Sequence, residues 1–106
     1  MIIYVKGPAA SGKTRFMRNV IAGEKLSCEI HRPSTLAAFK LVLAEAAKAR
    51  ESHLFCDEIH PSLLSAITME ASVYPCIDIF LSVESLNRFT ITGPQAAIRK
   101  YSKYVP

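Results

Sequence analysis

The stretch that decides the fold is Gly7-Pro8-Ala9-Ala10-Ser11-Gly12-Lys13-Thr14, which has the pattern GxxxxGK[ST]. An apolar run over residues 2–6 precedes it and predicts a β-strand. Residues 14–22 follow with apolar side chains on one side, which predicts a helix that ends at Gly23. The glycine-containing stretch therefore connects a strand to the N-terminus of a helix.

A connection of this kind is suited to binding a chain of phosphates. Glycine lets the backbone approach an anion and point N–H groups at it, and the helix N-terminus adds free N–H groups and a positive dipole end. Lys13 is expected to reach the β- and γ-phosphates, and the Thr14 hydroxyl is expected to be a Mg²⁺ ligand. Pro8 removes one N–H at a position where the pattern is variable. Together with Arg15, residues 7–15 are predicted to bind a nucleoside triphosphate, ATP or another.

Two acidic residues end a second apolar run, Leu54-Phe55-Cys56-Asp57-Glu58. Acids at the end of a buried strand are costly unless a cation or water meets them. Asp57 is predicted to bind the Mg²⁺ mostly through water, and Glu58 to polarise the attacking water. The alternative is a strand that ends in a polar turn, with Glu58 capping a helix that begins near Pro61.

These two motifs resemble the Walker A and Walker B motifs of P-loop NTPases in which a catalytic Glu follows the Walker B Asp. That class includes the AAA+ proteins and the RecA-like motors, and the resemblance covers most of the chain. It implies Mg²⁺-dependent ATP binding and hydrolysis, with Lys13 and Glu58 in catalytic roles and Thr14 and Asp57 at the metal. P-loop nucleotide kinases usually lack the Asp-Glu pair, which disfavours a kinase.

Two further residues are assigned by the same resemblance. AAA+ proteins carry a polar sensor residue at the end of a strand between the P-loop and Walker B strands, and Ser82 is the best match for it. An arginine before the last strand of such domains reaches the γ-phosphate of a neighbouring subunit, and Arg88 stands in that position. The alternatives are a serine that only ends a strand and an ordinary surface arginine.

The chain also departs from the AAA+ pattern. The helical lid that follows the AAA+ core, and the helix before its last strand, are expected to be missing from these 106 residues. The resemblance is therefore to a minimal core that binds nucleotide weakly, or that a second copy or a protein partner completes.

Short apolar runs alternate with amphipathic stretches, which is typical of an α/β domain. We predict one domain, 1–106, with a three-layer sandwich, a mostly parallel five-stranded sheet and a P-loop NTPase core. The predicted strands are 2–6, 26–31, 53–57, 76–82 and 89–92. Ser34 is the candidate N-cap of the second helix. Only Glu84 to Arg88 separate the last two strands, so either the last strand is antiparallel or a very short connection bridges them.

Charge and composition limit the partners. The formal charge is +4, half of the residues are apolar, and no apolar run reaches the roughly 20 residues that span a bilayer. Nucleic acid is a weakly supported partner, through charge or through the basic and aromatic run 99–104, whose Tyr101 is instead expected to pack inward. The N-terminal residues lack the features of a signal peptide, and Cys28, Cys56 and Cys76 are interpreted as small buried residues. Both observations indicate a cytoplasmic protein without a membrane segment.

Two functions compete at this stage. The first is slow, Mg²⁺-dependent hydrolysis of ATP or another triphosphate. The second is a nucleotide-binding regulatory or interaction module with little or no turnover, which the small size and the missing lid favour.

Overall fold

The computed structural model describes residues 1–106 as a five-stranded mixed sheet with four α-helices. The strands are β1 (Ile2–Gly7), β2 (Ile30–His31), β3 (His53–Ile59), β4 (Asp78–Glu84) and β5 (Thr90–Thr92). The helices are α1 (Lys13–Gly23), α2 (Leu36–Lys48), α3 (Leu64–Ala71) and α4 (Gln95–Tyr101). Short 3₁₀ turns precede α3 and follow α4. The predicted α/β class and the five strands are confirmed. None of the helices has both the length and the apolar character needed to cross a membrane.

The strand order is β2-β3-β4-β1-β5. The pairs β2–β3, β3–β4 and β4–β1 are parallel, and β5 is antiparallel to β1. The direction of β5, which the sequence left open, is antiparallel because the connection between β4 and β5 is too short for a parallel crossover. Because β1, β3 and β4 run the same way, their carboxyl ends meet at one edge of the sheet.

The helices cover both faces of the sheet. Residues of α2 and α3 pack on one face against Ile79 and Leu81, and residues of α1 and α4 pack on the other against Ile3 and Phe80. Successive side chains of β3 and β4 alternate between these two clusters, as expected when side chains point to opposite faces in turn. The apolar strands are therefore buried on both sides.

Several predicted boundaries were wrong. The second strand contains only Ile30–His31, and the fourth begins at Asp78 and extends to Glu84. The N-cap of α2 is Thr35 and not Ser34, because the Thr35 side chain accepts a hydrogen bond from the Ala38 N–H at 3.0 Å. Of the three cysteines, only Cys56 is buried, and Cys76 is exposed in a turn.

The C-terminus of α1 is built differently from the prediction. The residue with left-handed backbone is Lys25 (φ 56°), and the Leu26 and Lys25 N–H groups bond to the Ile21 and Ala22 carbonyls in a Schellman arrangement. Gly23 instead allows close packing, because a Cβ there would lie 2.2 Å from Cε1 of Tyr104. The C-terminal turn therefore packs directly against the end of α1.

A buried polar network lies at the amino edge of the sheet. The Tyr101 hydroxyl donates its one hydrogen to Oδ2 of Asp78 at 2.5 Å. In its second contact, at 2.9 Å, the Tyr101 oxygen therefore accepts a hydrogen bond from His53 Nε2–H. His53 Nδ1 then accepts from the Ser52 hydroxyl at 2.7 Å. The N-terminal amine lies 3.5 Å from Asp78 Oδ1. The network joins α4 to β3, β4 and the first residue, and it confirms that Tyr101 packs inward.

Candidate functional site

A cavity of about 760 Å³ opens at the carboxyl edge of the sheet. Its walls are residues 9–15, residues 57–61, Glu84 and Pro106. The volume is in the range of sites that hold a small-molecule ligand or cofactor. The predicted nucleotide-binding loop and the predicted metal-binding acid thus face the same space.

The loop that follows β1 requires glycine at two positions. A Cβ on Gly7 would lie 2.4 Å from the Ser11 Oγ and 3.1 Å from the Phe89 Cα. Gly12 has φ 101°, which L side chains rarely adopt, and Ala10 is also left-handed at φ 60°. The loop therefore folds tightly on itself, and the Ser11 hydroxyl is buried without a hydrogen-bond partner.

The N-terminus of α1 opens into the cavity without a cap. Gly12 occupies the N-cap position, no side chain caps the helix, and the first turn contains no acidic residue. Helix N-termini of this kind attract anions through free N–H groups and the dipole. Lys13, Thr14 and Arg15 supply the first helical N–H groups, and all three line the cavity.

The Lys13 ammonium lies across the loop. It donates to the Gly7 carbonyl at 2.8 Å and to the Pro8 carbonyl at 2.7 Å. An ammonium has three donors, so one remains for a ligand. Gly7 and Pro8 do not line the cavity themselves. They contribute to it through their carbonyls, which hold the Lys13 ammonium in place.

Asp57 is the most highly connected side chain of the site. It is 1% exposed. Its Oδ2 accepts from the Thr14 hydroxyl at 2.6 Å, and its Oδ1 accepts from the Ser82 hydroxyl at 2.5 Å and from the Glu58 N–H at 3.0 Å. These bonds fix the orientation of the carboxylate. The bond from Thr14 also joins α1 to β3.

Ser82 lies on β4, the strand between β1 and β3. It is fully buried and does not line the cavity. Its hydroxyl donates to the side of Asp57 away from Thr14, because β4 lies directly beside β3 in the sheet. Ser82 therefore orients the Asp57 carboxylate.

Glu58 sits on an irregularity of β3. Its φ is 56°, and the register with β4 shifts between Cys56 and Ile59. A left-handed non-glycine residue costs roughly 1–2 kcal/mol, and such bulges often re-aim a side chain near a functional site. Here the side chain is turned outward, 72% exposed, at the cavity wall. The prediction that the strand ends at Asp57 was wrong, since β3 continues to Ile59.

Arg32 is a site residue that the sequence analysis missed. It follows β2, and its guanidinium lies 3.7 Å from Asp57 Oδ2 and 3.7 Å from Glu58 Oε2. The available signal was a cation directly after a strand that is parallel to β3. The two acids therefore share one half-exposed cation.

Five other wall residues were not assigned to the site from the sequence: Ile59, His60, Pro61, Glu84 and Pro106. His60 also caps the 3₁₀ turn before α3, where its Nδ1 accepts from the Ser62 N–H at 3.1 Å.

Arg88 lies outside the cavity, exposed in the connection to β5, and forms no ion pair. The run 99–104 uses its tyrosines internally, because Tyr101 is buried and the Tyr104 hydroxyl donates to Glu24.

The donor set around Asp57 fits magnesium only if a ligand supplies the remaining oxygens. No group of three or more His, Cys, Asp or Glu side chains that could hold a metal is present. The Thr14 hydroxyl and Asp57 carboxylate do converge on one point of the cavity wall. Magnesium commonly binds through one or two protein oxygens together with water and substrate phosphates.

Comparison with known proteins adds no family to this description. No family model, no curated protein and no solved structure matches this chain.

Proposed function

We propose that this chain is a P-loop NTPase core, built on a mostly parallel sheet, that binds ATP or another nucleoside triphosphate with Mg²⁺ and hydrolyses it slowly. One observation carries the proposal. An uncapped, glycine-bounded helix N-terminus and its Lys13 face a buried Asp57 that is hydrogen-bonded to Thr14, in one cavity. The first feature attracts polyanions, and the second is a pair of oxygen ligands beside them.

Each group of residues has a distinct part in this proposal. The loop N–H groups of residues 9–15 and the Lys13 ammonium bind the phosphates, and Lys13 is also held in place by the loop carbonyls. Thr14 and Asp57 would hold Mg²⁺, which neutralises phosphate charge when bound. Ser82 keeps Asp57 oriented. Glu58 is the exposed carboxylate next to Asp57, so it is the group available to orient and deprotonate a water molecule.

Self-assembly or a partner is proposed to complete the site. The cavity is lined by only two cations with a fixed charge, Lys13 and Arg15, and Arg32 nearby is already paired with Asp57 and Glu58. Arg88 is exposed and unpaired in the connection that packs on Gly7. From that position it is available to a neighbouring copy, as the resemblance to AAA+ domains implies.

A second candidate function is a nucleotide-binding module with little or no turnover. The ion pair between Glu58 and Arg32 favours it, because a carboxylate engaged by a cation is less free to orient a water molecule. Rates of phosphate release at saturating triphosphate separate the two functions.

The Lys13→Ala variant tests the proposal. Removing the ammonium should abolish measurable binding of Mg-ATP and Mg-GTP in calorimetric titration, while circular dichroism and the unfolding midpoint stay close to those of the parent protein. Lys6→Ala is the matched control, since Lys6 lies on the same strand–loop segment but does not line the cavity. Equal affinities of the parent and Lys13→Ala proteins would exclude a phosphate site at this loop.

A further inference from the structure

A second groove lies beside the open edge of the sheet. It has a volume of about 760 Å³ and runs between the outer side of α1 and residues 26–32. Its floor contains the partly buried aliphatic side chains Ile21, Leu26 and Ile30. No aromatic residue lines it. An apolar floor of this shape is suited to aliphatic side chains and lacks the stacking platforms that single-stranded nucleic acids use.

The groove is also positively charged. Arg18, Lys25 and Arg32 line it, against the single acid Glu29. Arg18 and Lys25 form no ion pair in the structure. Since these cations have no partner within the chain, an acidic ligand would gain charge pairing without displacing an internal contact at either of them.

The strand along the groove has a free edge. β2 is the first strand of the sheet and pairs only with β3, so its outer backbone groups have no strand beside them. An exposed edge is a template for a further strand, and extended peptides bind many proteins in this way. The backbone edge and the charged, aliphatic groove lie side by side at Ile30.

We propose that this groove binds an extended, acidic segment of a partner protein, which adds a strand to the edge of β2. Its backbone pairs with β2. Its groove-facing side chains alternate between aliphatic groups, which contact Ile21, Leu26 and Ile30, and carboxylates, which meet Arg18 and Lys25. Because only every second side chain of a strand faces one side, the recognised pattern is an aliphatic residue and an acid two positions apart.

The probe follows from that spacing. A fluorescein-labelled peptide of repeated Val-Thr-Glu-Thr places valine and glutamate alternately on one face, and threonine favours the strand conformation. We expect saturable binding in fluorescence anisotropy at low salt, weaker at high salt. We also expect slower amide hydrogen exchange in residues 28–31 when the peptide is bound. A Val-Thr-Lys-Thr peptide should not bind. All measurements are made without nucleotide, so their outcome is independent of the proposed NTPase function.

Lys25→Gly and Arg50→Gly form a matched pair of variants. Both residues have φ 56° after a helix, and both changes remove one positive charge at a backbone conformation that glycine tolerates. Only Lys25 lines the groove. Lys25→Gly should weaken peptide binding about threefold, and the Arg18→Gln/Lys25→Gly double variant about tenfold, as expected for exposed ion pairs. Arg50→Gly should leave it unchanged.

Three results would overturn the proposal. The acidic peptide could fail to bind at any accessible concentration. Lys25→Gly and Arg50→Gly could weaken binding equally, which would indicate unspecific attraction to net positive charge. Oligothymidylate could bind more tightly than the peptide with the same dependence on Arg18 and Lys25, which would assign the groove to nucleic acid.

Discussion

At the scale of single residues, the site depends on contacts that fix the orientation of the Asp57 carboxylate. Hydrogen bonds from Thr14 and Ser82 approach it from opposite sides, and the Glu58 N–H adds a third. An ionised group gains about 1.5–3 kcal/mol from a hydrogen bond, so this arrangement holds the carboxylate in one orientation before any ligand arrives. Glu58 has no comparable restraint on its side chain beyond the ion pair with Arg32. The two adjacent acids are therefore suited to the different parts proposed for them, metal binding for Asp57 and base catalysis for Glu58.

The Glu58→Gln variant separates those tasks. The amide keeps the shape of the side chain and removes the base, so nucleotide binding should persist while hydrolysis falls by about 10²-fold or more. Calorimetry and a phosphate-release assay on the same protein measure both quantities. Glu51→Gln is the control, because Glu51 is an exposed acid that does not line the cavity. Hydrolysis at the parent rate in Glu58→Gln would leave Glu58 without a catalytic part and favour the module with little turnover.

At the scale of elements, α1 is held at both ends by close backbone approaches. At its N-terminus Pro106 lies near Gly12, where a Cβ would be 3.3 Å from the proline ring. At its C-terminus the Tyr104 ring packs on Gly23, and the Tyr104 hydroxyl donates to Glu24. The Asn19 side chain donates to the Tyr104 carbonyl at 3.0 Å between them. The C-terminal turn thus fixes the helix whose N-terminus forms part of the proposed phosphate site.

Gly23→Ala should destabilise the protein despite the better helix propensity of alanine. The added Cβ forces the Tyr104 ring away from Glu24, and overpacking of this kind costs about 1–3 kcal/mol, against a gain of up to about 1 kcal/mol from propensity. The free energy of unfolding is measured by urea denaturation. In a Tyr104→Ala background the clash is absent, so Gly23→Ala should be neutral or stabilising there. A loss of stability of the same size in both backgrounds would mean that Tyr104 is not the cause.

At the scale of the whole molecule, the two edges of the sheet have different chemistry. The carboxyl edge has the cavity with its loop N–H groups, lysine and acids. The amino edge has the buried network of His53, Tyr101 and Asp78, which joins residues distant in sequence. Burial lowers the pKa of His53, and the neighbouring Asp78 carboxylate only partly opposes this effect. Burial and the hydrogen bond to Asp78 raise the pKa of Tyr101 above its usual range, so its hydroxyl remains a donor.

The lowered pKa of His53 predicts that stability falls in mild acid. The unfolded chain takes up a proton at the ordinary histidine pKa of about 6.5, whereas the folded chain does so only at lower pH. The contribution is therefore fully present above about pH 6.5 and is lost as the pH falls below it. Unfolding free energies measured across this range should decrease toward acid in the parent protein. His53→Gln should flatten that slope. An unchanged slope in His53→Gln would contradict the assignment.

The exposed Arg88 predicts that activity depends on assembly. If a neighbouring copy supplies Arg88, turnover should rise more than linearly with protein concentration, because an arginine in trans can add roughly 10³–10⁵ in rate. Arg88→Ala should leave ATP binding nearly unchanged and remove the concentration-dependent part of the turnover rate. Arg99 is an exposed arginine on α4, and the control Arg99→Ala should keep that part of the rate. Sedimentation with Mg-ATP should show ring-like or open helical oligomers, since such head-to-tail contacts are heterologous. A protein that stays monomeric, with activity strictly proportional to concentration, would exclude self-assembly.

What the sequence by itself determined is local. Gly7, Gly12, Lys13 and Thr14 mark a tight loop before a helix, and apolar periodicity marks the strands and helices, because backbone freedom and side-chain period depend on neighbouring residues. Asp57 was identified from its position at the end of an apolar run, since an acid there is costly to bury without a cation or water.

The tertiary structure decided which of these groups meet. Strand order places Ser82 against Asp57 and brings Arg32 to both acids, although Ser82 and Arg32 each lie 25 positions from Asp57 along the chain. The left-handed backbone of Glu58 depends on how β3 pairs with β4. The short connection after β4 left two possibilities for β5, and its pairing with β1 decided between them. Long-range pairing of this kind has no signal in local propensity or period, since it depends on how strands are ordered in the sheet and which faces they share.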